Sequence, residues 1–459
     1  MPMSIERTRI VVVGCGASGV IAAANLARAL GQAGDVLVVE RGGAPGLGLA
    51  YATRDPNHLL NVRAANMSAF PNDPDHFVRW LQKRGPDFGA GGVTPFCFVE
   101  RRVYGAYLGD LFEGATMDGV QLIDAGAVRI EPWRDGVEVQ LDDGTSIVAD
   151  AVVLATGHDP KPPRQDGVAD AWTPGALDGI GRDDEVIVIG TGLTMIDTVL
   201  SLDSRGHRGP IRAISRRGLL SAVHAAVEPR PIPASAIPFG APLSQLLHCL
   251  RRHAADAAAS GADWRSTVDA LRPHTRRLWQ AMSTDQRRRF LRHARAWWDV
   301  HRHRMAPAIA RRIEALRETG RLEIVTGRVL GAAPGPDGTE LRVRLRGTQA
   351  DTRLVARRVI DATGLPCGPF ASPNPVIAHL VADGHARPAP LGFGLDLADD
   401  AALIARDGQV SDRLFAVGPL GRAAFWEIIA IPDIRQQCAD LAEDLAGRLG
   451  GRRKRRVAR

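Results

Sequence analysis

Cysteine is sparse in this 459-residue chain. The five present are Cys15, Cys97, Cys249, Cys367 and Cys438, and they form no C-x-x-C pair and no metal-ligand spacing. That pattern argues against a disulfide framework and points to a reducing compartment, read here as the cytoplasm. It also argues against a flavoenzyme that works through two adjacent thiols, and no metal is expected. Long apolar runs are missing as well. The stretch 10–30 resembles a signal peptide at first sight. Glycines at 14, 16 and 19 break it and Glu40 follows, so strand, turn and helix describe it better. No later run reaches the roughly 18 to 20 uninterrupted apolar residues of a membrane span. Lysine is scarce beside arginine, which reads as genome composition. Acids are absent from residues 448–459, where Arg448, Arg452, Arg453, Lys454, Arg455, Arg456 and Arg459 supply seven positive charges. The net charge is +7, so residues 1–447 are close to neutral. The basicity belongs to a tail, expected to be disordered and without a specific nucleic-acid partner.

What is present begins with a β-branched run at 9–13 that feeds Gly14-Cys15-Gly16-Ala17-Ser18-Gly19 and then an Ala/Leu-rich stretch to about residue 30. A second apolar run, 36–39, ends at Glu40, followed by Arg41. G-x-G-x-x-G between a strand and a helix is a dinucleotide fingerprint. The first Gly allows the tight turn, the second lets backbone approach a pyrophosphate, and the third lets the helix pack on the strand. Helix N-terminal N–H groups then face the phosphates, and an acid at the end of the next strand accepts from ribose hydroxyls. A second unit follows the strand 185–189: Gly190-Thr191-Gly192, Leu193 and Thr194 opening a helix, and a strand 211–215 ending in Arg216-Arg217. Met195 stands where the third glycine belongs. Arg216 lies 24 residues after Gly192, the spacing from Gly16 to Glu40. Two arginines at the ribose position suit a 2′-phosphate, so NADPH is expected over NADH; the alternative is a surface Arg pair at a strand end.

The remaining pattern repeats. Residues 120–157 and 322–364 each run strand, hairpin, strand and then Ala-Thr-Gly, ending at Thr156-Gly157 and, after a strand expected over 355–361, at Gly364. The expected fold is therefore α/β, with two Rossmann-like dinucleotide-binding domains, the second inserted in the first, and a helical insert. Residues 1–180 form the first part of an FAD-binding domain and 181–350 an NAD(P)-binding domain with the insert at about 243–319. Residues 351–447 complete the first domain, and 448–459 are the tail. Within the insert, a helix over 298–304 would put His301 and Arg304 on one face, cations for an anionic substrate or a cofactor phosphate, and would space Asp299 and His303 at i and i+4. The competing reading of these residues is a structural ion-pair network.

The chain resembles the bacterial FAD/NAD(P)-binding oxidoreductases of the YdhS-like kind, distant relatives of lysine/ornithine N-monooxygenases and flavin-containing monooxygenases. The carrying segments are Gly46-Leu-Gly-Leu-Ala-Tyr51, His58-Leu-Leu-Asn-Val62, Met67-Ser68, Ala155-Thr-Gly-His158, Gly190-Thr-Gly-Leu-Thr-Met-Ile-Asp197, Ser215-Arg-Arg-Gly-Leu219, Trp298-Asp-Val-His-Arg-His-Arg304 and Trp426-Glu-Ile-Ile-Ala-Ile-Pro-Asp-Ile-Arg435. Met195 belongs to that family's own pattern. The resemblance implies FAD and a nicotinamide cofactor, adds Tyr51, His58 and Asn61 as residues toward the flavin, and leaves His158 and His224 as weaker candidates. At 415–419 a proline, Pro419, stands where many flavoproteins carry an Asp after Gly418; Gly418 still permits close approach. Kinship with N-monooxygenases favours molecular oxygen as acceptor and hydroxylation of N or S in a small-molecule substrate. Two alternatives stay open: an NAD(P)H:acceptor reductase or oxidase without oxygen insertion, and a non-enzymatic flavin-binding sensor or scaffold. No catalytic acid or base is assigned, because the flavin carries the chemistry.

Overall fold

The computed structural model describes residues 7–85, 92–158, 165–364 and 372–457. The chain divides into two compact units. One comprises residues 1–54, 62–160 and 367–459, the other 55–61 and 161–366. The second is thus inserted in the first.

The first unit opens with β1 (Thr8–Val13), α1 (Ala17–Leu30) and β2 (Gly34–Glu40). The short α2 (Gly48–Tyr51), α3 (His76–Arg84) and α4 (Arg101–Met117) follow. Then come β3 (Val120–Asp124), the antiparallel three-stranded sheet β4 (Ala127–Trp133), β5 (Gly136–Leu141), β6 (Ser146–Ala149), and β7 (Ala151–Leu154). In β1, Ile10, Val11, Val12 and Val13 are all buried, so both faces of the strand are covered, as a central parallel strand requires.

In the second unit β8 (Val168–Asp170), β9 (Val186–Ile189), α5 (Leu193–Ser204) and β10 (Ile211–Ser215) precede six helices. These are α6 (Leu243–Ala259), α7 (Trp264–Leu271), α8 (Thr275–Gln280), α9 (Thr284–His293), α10 (Arg295–Arg302) and α11 (Pro307–Glu318). They occupy the span read as a helical insert. β11 (Leu322–Gly335), β12 (Gly338–Leu345), β13 (Asp351–Ala356) and β14 (Arg358–Asp361) return to the sheet, whose order is β13-β12-β11-β10-β9-β14-β8.

The chain then re-enters the first unit through α12 (Pro375–Asp383), β15 (Ala402–Ile404), β16 (Val410–Ala416), α13 (Arg422–Phe425) and α14 (Ile431–Val457). The first sheet has the order β15-β16-β7-β1-β2-β3, with only β15 antiparallel. Both sheets close a Rossmann-like order around a central strand that ends in a glycine turn.

Three boundaries differ from those read in the sequence. Residues 355–361 are not one strand: Arg357 N donates to Glu185 O at 3.0 Å, and the chain there passes from antiparallel pairing with β12 to parallel pairing with β9. The second unit therefore runs past residue 350 and takes Asp361-Ala-Thr-Gly364 with it. It also begins before 181, because β8 pairs with β14. Finally, α14 continues to Val457, so residues 448–457 are helical where a disordered tail is expected; Arg448 pairs with Asp400 at 2.6 Å and with Asp444 at 2.7 Å.

Candidate functional site

In the first unit the chain leaves β1 at Gly14, which has φ +104° and donates to Val39 O at 2.9 Å. A Cβ there would stand 2.6 Å from Ala155 O, so no other residue fits the crossing of β1 and β7. A Cβ on Gly19 would stand 1.9 Å from Gly14 O, which is why the helix can sit so close to its own strand. Gly16 caps α1 without any side-chain hydrogen bond, leaving the first N–H groups of the helix, from Ala17, Ser18 and Gly19, for an acceptor from outside. Glu40 at the end of β2 accepts from Cys15 N at 2.8 Å through Oε2 and from Arg41 N at 3.1 Å through Oε1. Each oxygen keeps a further lone pair for a ribose hydroxyl. Arg41 itself pairs with Asp142. Burial first, and then Glu40, push the Cys15 thiol up to about 12, so it is inert.

Around this turn lie other residues singled out from the sequence. Thr156 follows β7, and its Oγ1 is buried with no hydrogen-bond partner. A buried hydroxyl of this kind is what a bound polar ligand would satisfy. Gly157 adopts φ +73°. His158 is held well below the usual histidine range, at about 4, by burial and then by Arg422. Gly418 has φ +72°, and a Cβ on it would stand 2.4 Å from Ser18 Oγ, so glycine is needed where β16 ends against α1. Gly418 N donates to Gln437 Oε1 at 2.9 Å. Tyr51 packs on Tyr104 with ring centroids 4.9 Å apart.

Several features here were not singled out from the sequence. Gly48, with φ +47°, backs onto Gly16, its Cα 3.5 Å from where a Gly16 Cβ would stand. Trp426 adopts φ +53° with Arg422 over its ring at 4.9 Å. A positive φ at a tryptophan is a strained backbone, and such strain gathers at functional sites. Its signal in the sequence was only the motif 426–435, with no glycine to mark the turn.

The second unit repeats the device with one substitution. Gly190 has φ +117°, donates to Ile214 O at 2.8 Å, and would place a Cβ 2.6 Å from Ala362 O. This matches Gly14 against Ala155 in the first unit. Gly192 caps α5 without a side-chain bond, so the N–H groups of Leu193 and Thr194 are open. Thr191 Oγ1 donates to Leu219 O at 2.6 Å and lies 2.9 Å from the Ser215 hydroxyl. Met195, in the place of a third glycine, is fully buried and fills the helix–strand interface. At the end of β10 Arg216 is exposed and Arg217 reaches His293 O at 3.4 Å. Gly218, with φ +62°, turns the chain where a Cβ would strike Thr326 Oγ1 at 2.3 Å. Gly364 has φ +75°, two residues after Ala362.

His58 and Asn61 lie in the short segment that belongs to the second unit. His58 Nε2 is 2.9 Å from Ser201 Oγ, which donates to Asp55, and His224 Nε2 is 3.0 Å from Asn61 O. The helix carrying Trp298 ends at Arg302. His301 and Arg304 therefore do not share a helical face as i and i+3, and His303 N donates to Asp299 O at 2.8 Å where the helix ends. His301 and Arg304 converge instead on Trp264, at 4.8 Å and 5.9 Å from its ring. Arg304 is 2 % exposed and pairs with Asp269. Among the described residues no group of three His, Cys, Asp or Glu could hold a metal ion, and no helix is long and apolar enough to cross a membrane.

Residues 11–159 match the sequence profile of the family described as FAD-NAD(P)-binding. The chain carries an FAD/NAD(P)-binding domain. No curated protein matches it. Among solved structures, it is similar to an ornithine N-hydroxylase of Kutzneria sp. 744, described with reduced FAD, NADP+ and L-ornithine. That match has 16 % identity and a TM-score of 0.63, covering 96 % of this chain and 100 % of that one. It is similar to L-lysine 6-monooxygenase of Pseudomonas syringae, also at 16 % identity and a TM-score of 0.63, covering 96 % and 99 %. A bacillithiol disulfide reductase of Bacillus cereus matches at 14 % identity and a TM-score of 0.55, covering 96 % and 100 %. At such identities the likeness establishes the fold, that of flavoproteins with two dinucleotide-binding domains.

Proposed function

We propose that this protein is an FAD-dependent, NADPH-reduced oxidoreductase that hydroxylates a nitrogen or sulfur atom of a small molecule. The observation that carries the reading is the pair of glycine turns. Each follows a central parallel strand, opens an uncapped helix and lies against an Ala-Thr-Gly segment of its own sheet. FAD fits the first. Gly14, Gly16, Ala17, Ser18 and Gly19 would cradle the pyrophosphate, Glu40 would take the ribose hydroxyls, and Thr156 Oγ1 would gain the partner it lacks. The nicotinamide cofactor fits the second. Gly190, Gly192, Leu193 and Thr194 would face its pyrophosphate, and Arg216 and Arg217 its 2′-phosphate. When bound, FAD supplies the electron transfer between NADPH and the acceptor.

The cysteines argue against a dithiol acceptor. Cys15 and Cys438 are buried, and Cys15, Cys97, Cys249 and Cys438 are all free, while Cys367 lies outside the described residues. With oxygen as acceptor the reaction balances as NADPH, a proton, O2 and substrate giving NADP+, water and the hydroxylated substrate. The protein's own residues bind and orient both dinucleotides and supply no nucleophile. The test is to follow NADPH oxidation and O2 uptake with candidate amines and thiols. Hydroxylated product equal to NADPH consumed supports the reading. The second reading, a reductase or oxidase without oxygen insertion, is favoured by the likeness to a disulfide reductase. It predicts NADPH oxidation with peroxide as the only oxygen product, whatever the substrate.

A further inference from the structure

The second unit has a cavity of about 350 Å³ at the foot of α5, away from its glycine turn. Its lining includes Leu177, Arg182, Leu202, Arg205, His207 and Arg208. Gly192 opens α5 and Arg205 closes it; the 12 residues between span about 18 Å, so the cavity and the turn sit at opposite ends of one helix. The wall is tightly built. Arg208 N donates to Arg182 O at 2.6 Å, which sets the two arginine backbones side by side. His207 is buried, its Nε2 lies 2.9 Å from Asp184 O, and its Nδ1 has no partner. Arg321 holds His207 O and reaches Asp203 at 2.9 Å.

Three cations gather here over an apolar floor. Cations at a helix C-terminus often serve only to meet its last carbonyls. That explanation fails for these guanidiniums, because the carbonyls of Ser201 and Asp203 accept from the backbone N–H groups of Arg205 and Gly206. Of the nearby carboxylates, Asp184 Oδ2 accepts from Gly181 N at 2.7 Å, and Asp178 pairs with Arg205 at 3.1 Å. Among the described residues no ion pair engages Arg182 or Arg208, whereas Arg205, Arg212, Arg312 and Arg321 in the same unit each hold a carboxylate. Exposed Arg182 and Arg208, hydrogen-bonded backbone to backbone beside Leu177 and Leu202, offer cations for an anionic head and a floor for an apolar body.

We propose that this cavity binds a small organic anion, a carboxylate or a phosphate monoester on a short apolar body. The volume is at the lower end for ligand sites, which sets the size of that body. The site does not depend on the oxygen chemistry proposed above.

The test is calorimetric titration of the FAD-loaded protein, with NADP+ saturating so that the 2′-phosphate arginines are occupied. The probes are phenyl phosphate, benzoate, inorganic phosphate and benzyl alcohol. Saturable binding is expected for phenyl phosphate, benzoate or both, and whichever binds fixes the head group. Inorganic phosphate and benzyl alcohol, each lacking one half of the ligand, should bind at least tenfold more weakly. The double variant Arg182→Ala/Arg208→Ala removes no structural partner and should fold, as an unchanged thermal midpoint would show. It should lose at least tenfold in affinity for the organic anion. No saturable heat from either organic anion overturns the proposal, as does equal affinity in the double variant or equal affinity for benzyl alcohol.

Discussion

At the residue scale, single atoms decide what fits. A methyl group on Gly19 would overlap Gly14 O at 1.9 Å. Gly19→Ala must therefore push α1 off β1, and the purified variant should retain less than a tenth of the flavin held by the unaltered protein, read from its visible absorbance. Arg216 is exposed at the end of β10, and a cation there serves a 2′-phosphate but not a free hydroxyl. Arg216→Ala should raise the KM for NADPH about tenfold or more and leave that for NADH nearly unchanged; equal losses for both would remove this role. His158 makes a pH prediction. Its ring takes a proton near pH 4 in the folded protein but near 6.5 in the unfolded chain. Between those values the unfolded state binds more protons, so stability falls as pH drops from about 6.5 toward 4. Thermal midpoints across that window should fall less steeply for His158→Asn than for the unaltered protein. A parallel fall in the two would show that the ring is not buried neutral.

At the scale of elements, the comparison of α1 and α5 shows how one device tolerates two packings. α1 needs a third glycine, while α5 replaces it with the fully buried Met195. Restoring the fingerprint with Met195→Gly should not improve NADPH binding. It should destabilise the protein by about 2–5 kcal/mol for the emptied core plus about 1 kcal/mol for glycine in a helix, measured by denaturant unfolding. The glycine turns were legible in the sequence because their spacing follows from backbone geometry alone. The six helices between Leu243 and Glu318 were legible as a group from their apolar periodicity, but their ends were not. α10 stops at Arg302, so the His301–Arg304 pairing expected from helical spacing does not form. The change of partner at Arg357 was equally hidden, since residues 355–361 read as one strand and only tertiary pairing separates the end of β13 from β14. Trp426 lay beyond local reasoning for another reason: nothing in its own residue type announces a positive φ.

At the scale of the molecule, one chain holds two Rossmann-like sheets, each with a helix N-terminus open to a pyrophosphate, and the second is inserted between parts of the first. Two such turns in one chain provide for two dinucleotides in one redox reaction. The most direct test is the visible spectrum of the purified, FAD-loaded protein under anaerobic conditions as NADPH is added. The account predicts a flavin spectrum that bleaches within the time of mixing and returns when oxygen is admitted. A yellow protein that stays yellow in excess NADPH would contradict a working nicotinamide site in the second unit. A protein that takes up no FAD at all would contradict the first.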